Sequence, residues 1–325
     1  MHRQQDTTSL RTFFLNLASS MLMLGLMTDM AFSSQKMRVV ASTAFIGTAM
    51  QDILGDTAHV TTLMGEGTDP HLYRPRRDDM ATLMAADVIL WTGADLEAQL
   101  ARPIRALEKT QKLILTLMDF VPEEERLNAK GKSADPHIWM DPVLWSNVIG
   151  TSIDAIIDHA PLHAPTYRQR LTMFQQRLAV LDQQIHTLIS TIPHNARILI
   201  TAHDAFGYFG RRYGMRVEGI QGMSTESEAG LQRIASLIDL IIEKRVPAIF
   251  AEASVSPRHI NALIEGARMR DYPLQQGGKL FADSMGHPAS PEGTFNGMML
   301  HNVVTISKAL NSTHLVQTIP KPPLP

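Results

Sequence analysis

Along the chain, short runs of consecutive apolar, often β-branched residues alternate with longer stretches whose apolar positions recur every three or four residues. Strands covered on both faces read as continuous apolar runs, and their crossovers are amphipathic helices, so the alternation predicts an α/β fold with mostly parallel strands. The strand candidates are residues 38–42, 59–63, 88–91, 113–116, 197–201, 216–220 and 248–251. Between the fourth and the fifth the pattern changes: Leu171, Phe174, Leu178, Leu181, Ile185 and Leu188 fall at gaps of 3, 4, 3, 4 and 3. That spacing predicts one helix over 166–191, on the order of 37 Å long, entered after Pro161 and Pro165 and stopped by Pro193. Two lobes are expected, at 35–165 and 192–325, each with a mostly parallel sheet flanked by helices and joined by this long helix. Thr225 and Glu228 form a candidate capping box for the helix carrying Leu231, Ile234, Leu237, Ile238 and Ile241, and Ser256-Pro257 opens another over 258–269.

The first 34 residues stand apart. Arg3 and Arg11 precede an uncharged apolar run from Phe13 to Met27, and small residues follow at Ala31 to Ser34. Basic region, apolar run too short to span a bilayer comfortably, then a cleavage site is the order of a secretory signal, so 1–34 is expected to be removed and the protein to reside in the periplasm. No later segment has the uncharged length of a membrane span.

Composition narrows the chemistry. The 325 residues carry 30 Lys and Arg against 32 Asp and Glu, a formal charge of −2, and no Cys. This balance gives no electrostatic footprint for nucleic acid. Without Cys there are no disulfides, no thiolate metal sites and no lipid-modified N-terminal cysteine, so an exported product is expected to be free and soluble; a monomer is the expected state. Metal or acid–base chemistry must use His, Asp, Glu and hydroxyls.

Polar residues just beyond strand ends are where open α/β sheets hold ligands. Four places qualify: Asp69-Pro70-His71, Asp135-Pro136-His137, His203 after the 197–201 strand, and Asp283 in Phe281-Ala282-Asp283-Ser284. A lone His of this kind is usually a hydrogen-bonded surface residue. Two copies of Asp-Pro-His make a metal site more credible, since Pro fixes the approach of the chain, but spacing alone leaves both readings open.

The segments GEGTDPHLYRPRRDDMATLMAADVILWTGADLE, DPHIWMDP, TAHDAFGYFGRRYGM, GIQGMSTESEAG, AIFAEASVSP and LFADSMG, in this order, resemble the TroA-like zinc and manganese solute-binding proteins of ABC metal importers. The resemblance runs from about residue 39 to 310. It implies one metal site between two lobes, with His71, His137, His203 and Asp283 as the four ligands and the long helix as a stiff spine that limits closure. Three imidazoles and a carboxylate suit a borderline divalent ion, and ligands spaced 66, 66 and 80 residues apart must come from separate loops. The implied function is capture of Zn²⁺ or Mn²⁺, one per chain, and delivery to a membrane permease. Manganese-dedicated relatives commonly carry Glu where this chain has His203, and many zinc importers carry a His-rich loop that is missing here. The nitrogen-rich set leans toward zinc.

Glu252, at the end of a strand, is expected to accept an imidazole N–H from outside the ligand set. Asp69 and Asp204 are expected in local turns, Asp69 holding the loop of His71, and Asp141-Pro142 at the start of a helix near Val143. The remaining His residues are expected on the surface. Arg74, Arg76 and Arg77 beside Asp78 and Asp79 read as a solvated helix start, and Trp91, Trp139 and Trp145 as packing. Most Met residues outside the signal fall at core spacing, which disfavours thioether ligation. Two other classes find less support in the sequence. A zinc hydrolase lacks an HExxH motif and an open fourth position, and an adhesion protein with a structural metal has no sequence feature to carry it.

Overall fold

The computed structural model describes residues 36–127 and 134–311. The signal expected at 1–34 and His314 lie outside them. The first sheet holds β1 (Met37–Thr43), β2 (Ala58–Met64), β3 (Val88–Trp91) and β4 (Leu113–Thr116), all parallel, in the order β2-β1-β3-β4. Helices α1 (Ala44–Leu54), α2 (Arg77–Ala85) and α3 (Ala98–Leu107) connect them. After α4 (Pro142–His159) comes the long helix α5 (Ala164–Ser190). The second sheet holds β5 (Ile198–Thr201), β6 (Arg216–Gly219), β7 (Ala248–Glu252) and β8 (Gln275–Leu280), again parallel, in the order β6-β5-β7-β8. Helices α6 (Gly207–Tyr213), α7 (Leu231–Lys244) and α8 (Arg258–Arg268) connect these strands, and α9 (Phe295–Asn311) closes the described chain. No described helix is long and apolar enough to cross a membrane.

Seven strands fall within one or two residues of their expected positions. β8, with the sequence Gln275-Gln276-Gly277-Gly278-Lys279-Leu280, was not expected, because it has neither alternation nor β-branched residues. Its glycines serve a bulge opposite Ile249 and Phe250: Gly278 has φ of 145°, and a Cβ on Gly277 would lie 2.7 Å from the Phe250 ring.

α5 begins two residues earlier than its periodicity suggests, because Pro165 fits the first turn, where no amide donor is needed. Leu171, Phe174, Leu178, Leu181 and Ile185 are buried along one stripe that meets α1, α4 and α9. Asp182 on the same helix is buried as well, and Arg212 grips it with two 2.6 Å hydrogen bonds while Tyr213 Oη donates a third at 2.9 Å. The largest core cluster runs through both halves, from Val39 and Phe45 through Trp139, Leu178 and Phe206 to Phe250 and Met298. The sheets are therefore joined by packing as well as by α5.

The expected capping box is not formed. α7 starts after Gly230, with no side chain capping it. Thr225 instead donates to Asp69, and Glu228 meets His259 at 2.6 Å, so both residues are committed to other partners. His259 is accordingly half-buried rather than on the open surface. The Arg74–Asp79 segment is a helix start as expected, with Asp79 accepting from the Arg76 amide and from Tyr73 Oη.

Candidate metal centre

In each sheet the strand order reverses between two central strands, and the crevice beyond their carboxyl ends is where such folds place ligands. In the second sheet that point lies between β5 and β7. His203 follows β5 by two residues, Glu252 is the last residue of β7, and Asp283 follows β8. From the first half, His71 arrives on the loop after β2, and His137 on the segment between β4 and α4. Asp141 caps α4 as expected, accepting from the amides of Val143 and Leu144.

One potential ligand atom from each of His71, His137, His203 and Asp283 lies within 4.8 Å of the others, and all four residues are buried. His137 Nε2 is 3.3 Å from Asp283 Oδ1, His203 Nε2 is 3.1 Å from Oδ2, and His71 Nε2 is 3.6 Å from Oδ2. Donors at ~2.0–2.2 Å from a tetrahedral ion lie roughly 3.3–3.5 Å apart, and the three His–Asp283 distances, divided between its two oxygens, fall near that range. Beyond their contacts with one another, the Nε2 atoms of all three His and both oxygens of Asp283 are buried with no hydrogen-bond partner among the described residues. Convergent buried polar atoms without partners are costly unless a cation satisfies them. The donor set fits one borderline divalent ion.

The outer contacts differ among the three imidazoles. Glu252 accepts the His203 amide at 3.0 Å and meets His203 Nδ1 at 2.6 Å. Asp135 does the same for His137, at 2.9 Å to the amide and 2.7 Å to Nδ1. Asp69 accepts the His71 amide at 2.9 Å, but its other oxygen turns away to Thr225 Oγ1 at 2.7 Å, and His71 Nδ1 has no partner among the described residues.

These contacts set the protonation of the site. Burial lowers the His71 pKa to about 4, keeping the ring neutral. Burial also disfavours charge on His137, but Asp283 and Asp135 outweigh it and lift the ring to about 9. His203 is raised well above the ordinary imidazole range against the same burial, by Glu252 and Asp283. Asp283 is held well below the carboxylate range, since the neighbouring His203 and His137 overcome its burial.

Several contributors carry no signal at sequence level. Trp139 stacks on Phe45 with ring centroids 4.7 Å apart and donates its indole N–H to the Ala282 carbonyl at 2.8 Å, next to Asp283. Tyr208 Oη donates to the Asp135 carbonyl at 3.1 Å. Asn302 clasps the backbone of Phe281 at 2.9 and 2.7 Å. Trp91 and Trp145 are buried packing residues, and the Asp204 amide bonds the Gly222 carbonyl.

Two helix-flanked parallel sheets tied by one long helix, with a buried three-His, one-Asp cluster between them, define the class of metal-binding solute-binding proteins. The chain belongs to the family of the periplasmic zinc-uptake complex component A, ZnuA, whose pattern matches residues 39–309. It is 40% identical over 287 residues to the manganese-binding lipoprotein MntA of Bacillus subtilis, covering 87% of this chain and 93% of that one. It is 35% identical over 302 residues to the zinc-binding protein TroA of Treponema pallidum, covering 90% and 98%. The solved structure of that periplasmic zinc-binding protein superposes with a TM-score of 0.82 at 36% identity, over 85% of this chain and 99% of the other. The chain's homologues are metal-binding substrate-binding components of ABC transporters.

Proposed function

We propose that the chain captures one divalent transition metal ion on His71, His137, His203 and Asp283 and hands it to the membrane permease of an ABC importer. The convergence of five buried polar atoms that have no partner outside the cluster carries this reading. Glu252 and Asp135 orient two of the ligands from outside. Three nitrogens and one carboxylate favour zinc over manganese, and the general affinity order of divalent ions adds to that preference. The named cargo of the 40%-identical relative supports manganese as a second cargo. The ion and the permease are the partners. The protein works as a monomer in the periplasm, with lobes at 35–165 and 192–325 around the helix at 166–191, after loss of a signal segment at 1–34 that has no cysteine for a lipid anchor. A hydrolytic reading loses its basis, because Asp283 takes the position that a zinc-bound water would need.

The test is elemental analysis of protein recovered from its native periplasm, followed by competitive titration of Zn²⁺ and Mn²⁺. One zinc per chain and a zinc preference are expected. Absence of stoichiometric metal binding would overturn the reading.

A further inference from the structure

We propose that metal enters and leaves on the His71 side of the site, and that Thr225 is the positioning residue which, through Asp69, holds His71 in place. The proposal rests on the metal-binding function above and concerns which of the four ligands exchanges.

Three of the four are braced. His203 and His137 are each fixed at the amide and at Nδ1 by a carboxylate. Asp283 follows a backbone stretch that Asn302 clasps twice and Trp139 holds at Ala282. His71 has only its amide held, by Asp69, and its ring carries no outer partner among the described residues. The following residue, Leu72, is 53% exposed.

Apart from the contacts of the ligand ring itself, a hydrogen bond reaches this loop from the other half: the Thr225 hydroxyl on Asp69 Oδ2. Thr225 is itself anchored. Gln221 donates its side-chain amide to the carbonyls of Thr225 and Ser227, and its backbone N–H bonds the carbonyl of Ala202, the neighbour of His203. A chain of hydrogen bonds thus runs from the His203 strand to the His71 loop, and the single Thr225–Asp69 bond, at 2.7 Å, is the member that crosses between the two halves. A cleft of about 160 Å³ opens over this bond, lined by Asp69, Leu72, Thr225, Glu228, Ser254 and His259. Local opening follows the least anchored segment, and His71 is the one ligand ring with no outer hydrogen bond among the described residues, so it is the ligand that swings out. His137, His203 and Asp283 remain as a three-donor landing site.

Zinc release from full-length, zinc-loaded protein into excess chelator reads this directly. Thr225→Val, which removes the donor at nearly constant volume, is expected to release Zn²⁺ about tenfold faster with the stoichiometry unchanged. Thr225→Ser, which keeps the hydroxyl, should return to the wild-type rate. A second measurement is independent of Thr225: His71→Ala should still bind one Co²⁺, more weakly and with an altered visible spectrum. A wild-type release rate in Thr225→Val, a fast rate in Thr225→Ser, or complete loss of Co²⁺ binding in His71→Ala would each overturn the proposal. Failure of the wild-type protein to bind Zn²⁺ would instead overturn the proposed function.

Discussion

Glu252 holds His203 at two points, accepting its backbone amide at 3.0 Å and meeting its Nδ1 at 2.6 Å, with both side chains fully buried. The double contact fixes both the backbone and the ring, so Nε2 faces Asp283 across 3.1 Å. An acceptor on one ring nitrogen makes the other the metal-facing one and raises its basicity.

Glu252→Gln should therefore weaken metal binding about 10–100-fold with the fold retained. Competition against a chelator of known affinity measures it. Unchanged affinity would mean that the carboxylate serves only the backbone.

His71→Ala, His137→Ala and Asp283→Ala should each weaken binding at least tenfold, about 1.4 kcal/mol. Calorimetry showing wild-type affinity in any two of them would sink the assigned ligand set.

Metal binding should release protons near neutral pH. An ordinary imidazole would place this competition at about pH 6.5. The raised pKa of His137, at about 9, and that of His203 keep both rings protonated at pH 7 in the metal-free protein, and the metal must displace those protons. Affinity should thus rise with pH up to about 9 and fall steadily below it, while His71, neutral down to about 4, adds no competition near neutrality. Calorimetry in two buffers of different ionisation enthalpy reads the proton count, and identical heats would contradict the assignment.

Metal preference should move with His203. His203→Glu gives two nitrogens and two carboxylates, adds a negative charge and offers a bidentate grip suited to a harder ion. The ratio of zinc to manganese affinity should fall. A competitive titration that leaves the zinc preference unchanged or larger would mean that lobe geometry, not donor type, sets the choice.

Stability should depend on the buried stripe of α5. Leu178 is 1% exposed and Val180 is 55% exposed. Leu178→Ala should cost about 2–5 kcal/mol by denaturant unfolding, and Val180→Ala should stay within about 0.5 kcal/mol.

The strands, the long helix and the four convergent residues were legible because each leaves a local mark: an apolar run, a 3.6-residue period, or a polar residue just past a strand. What sequence could not distinguish is what the two Asp-Pro-His motifs do. In both, the Asp accepts the amide of the His two residues on, at 2.9 Å. Only Asp135 also reaches its own imidazole, whereas Asp69 turns to Thr225, 156 residues away. The same distant claim removed Thr225 from the helix cap that its spacing with Glu228 suggested. β8 was hidden for the opposite reason, since its two glycines answer to a bulge against Phe250 and not to any strand propensity.

The indole of Trp139 lies edge-on to the His137 ring at 5.4 Å between centroids, while its N–H is tied to the carbonyl beside Asp283. The site therefore has a fluorophore built against it. Loading with a paramagnetic ion such as Mn²⁺ or Co²⁺ should quench this emission far more than Zn²⁺ does, so the identity of the captured ion can be read optically from the untagged protein.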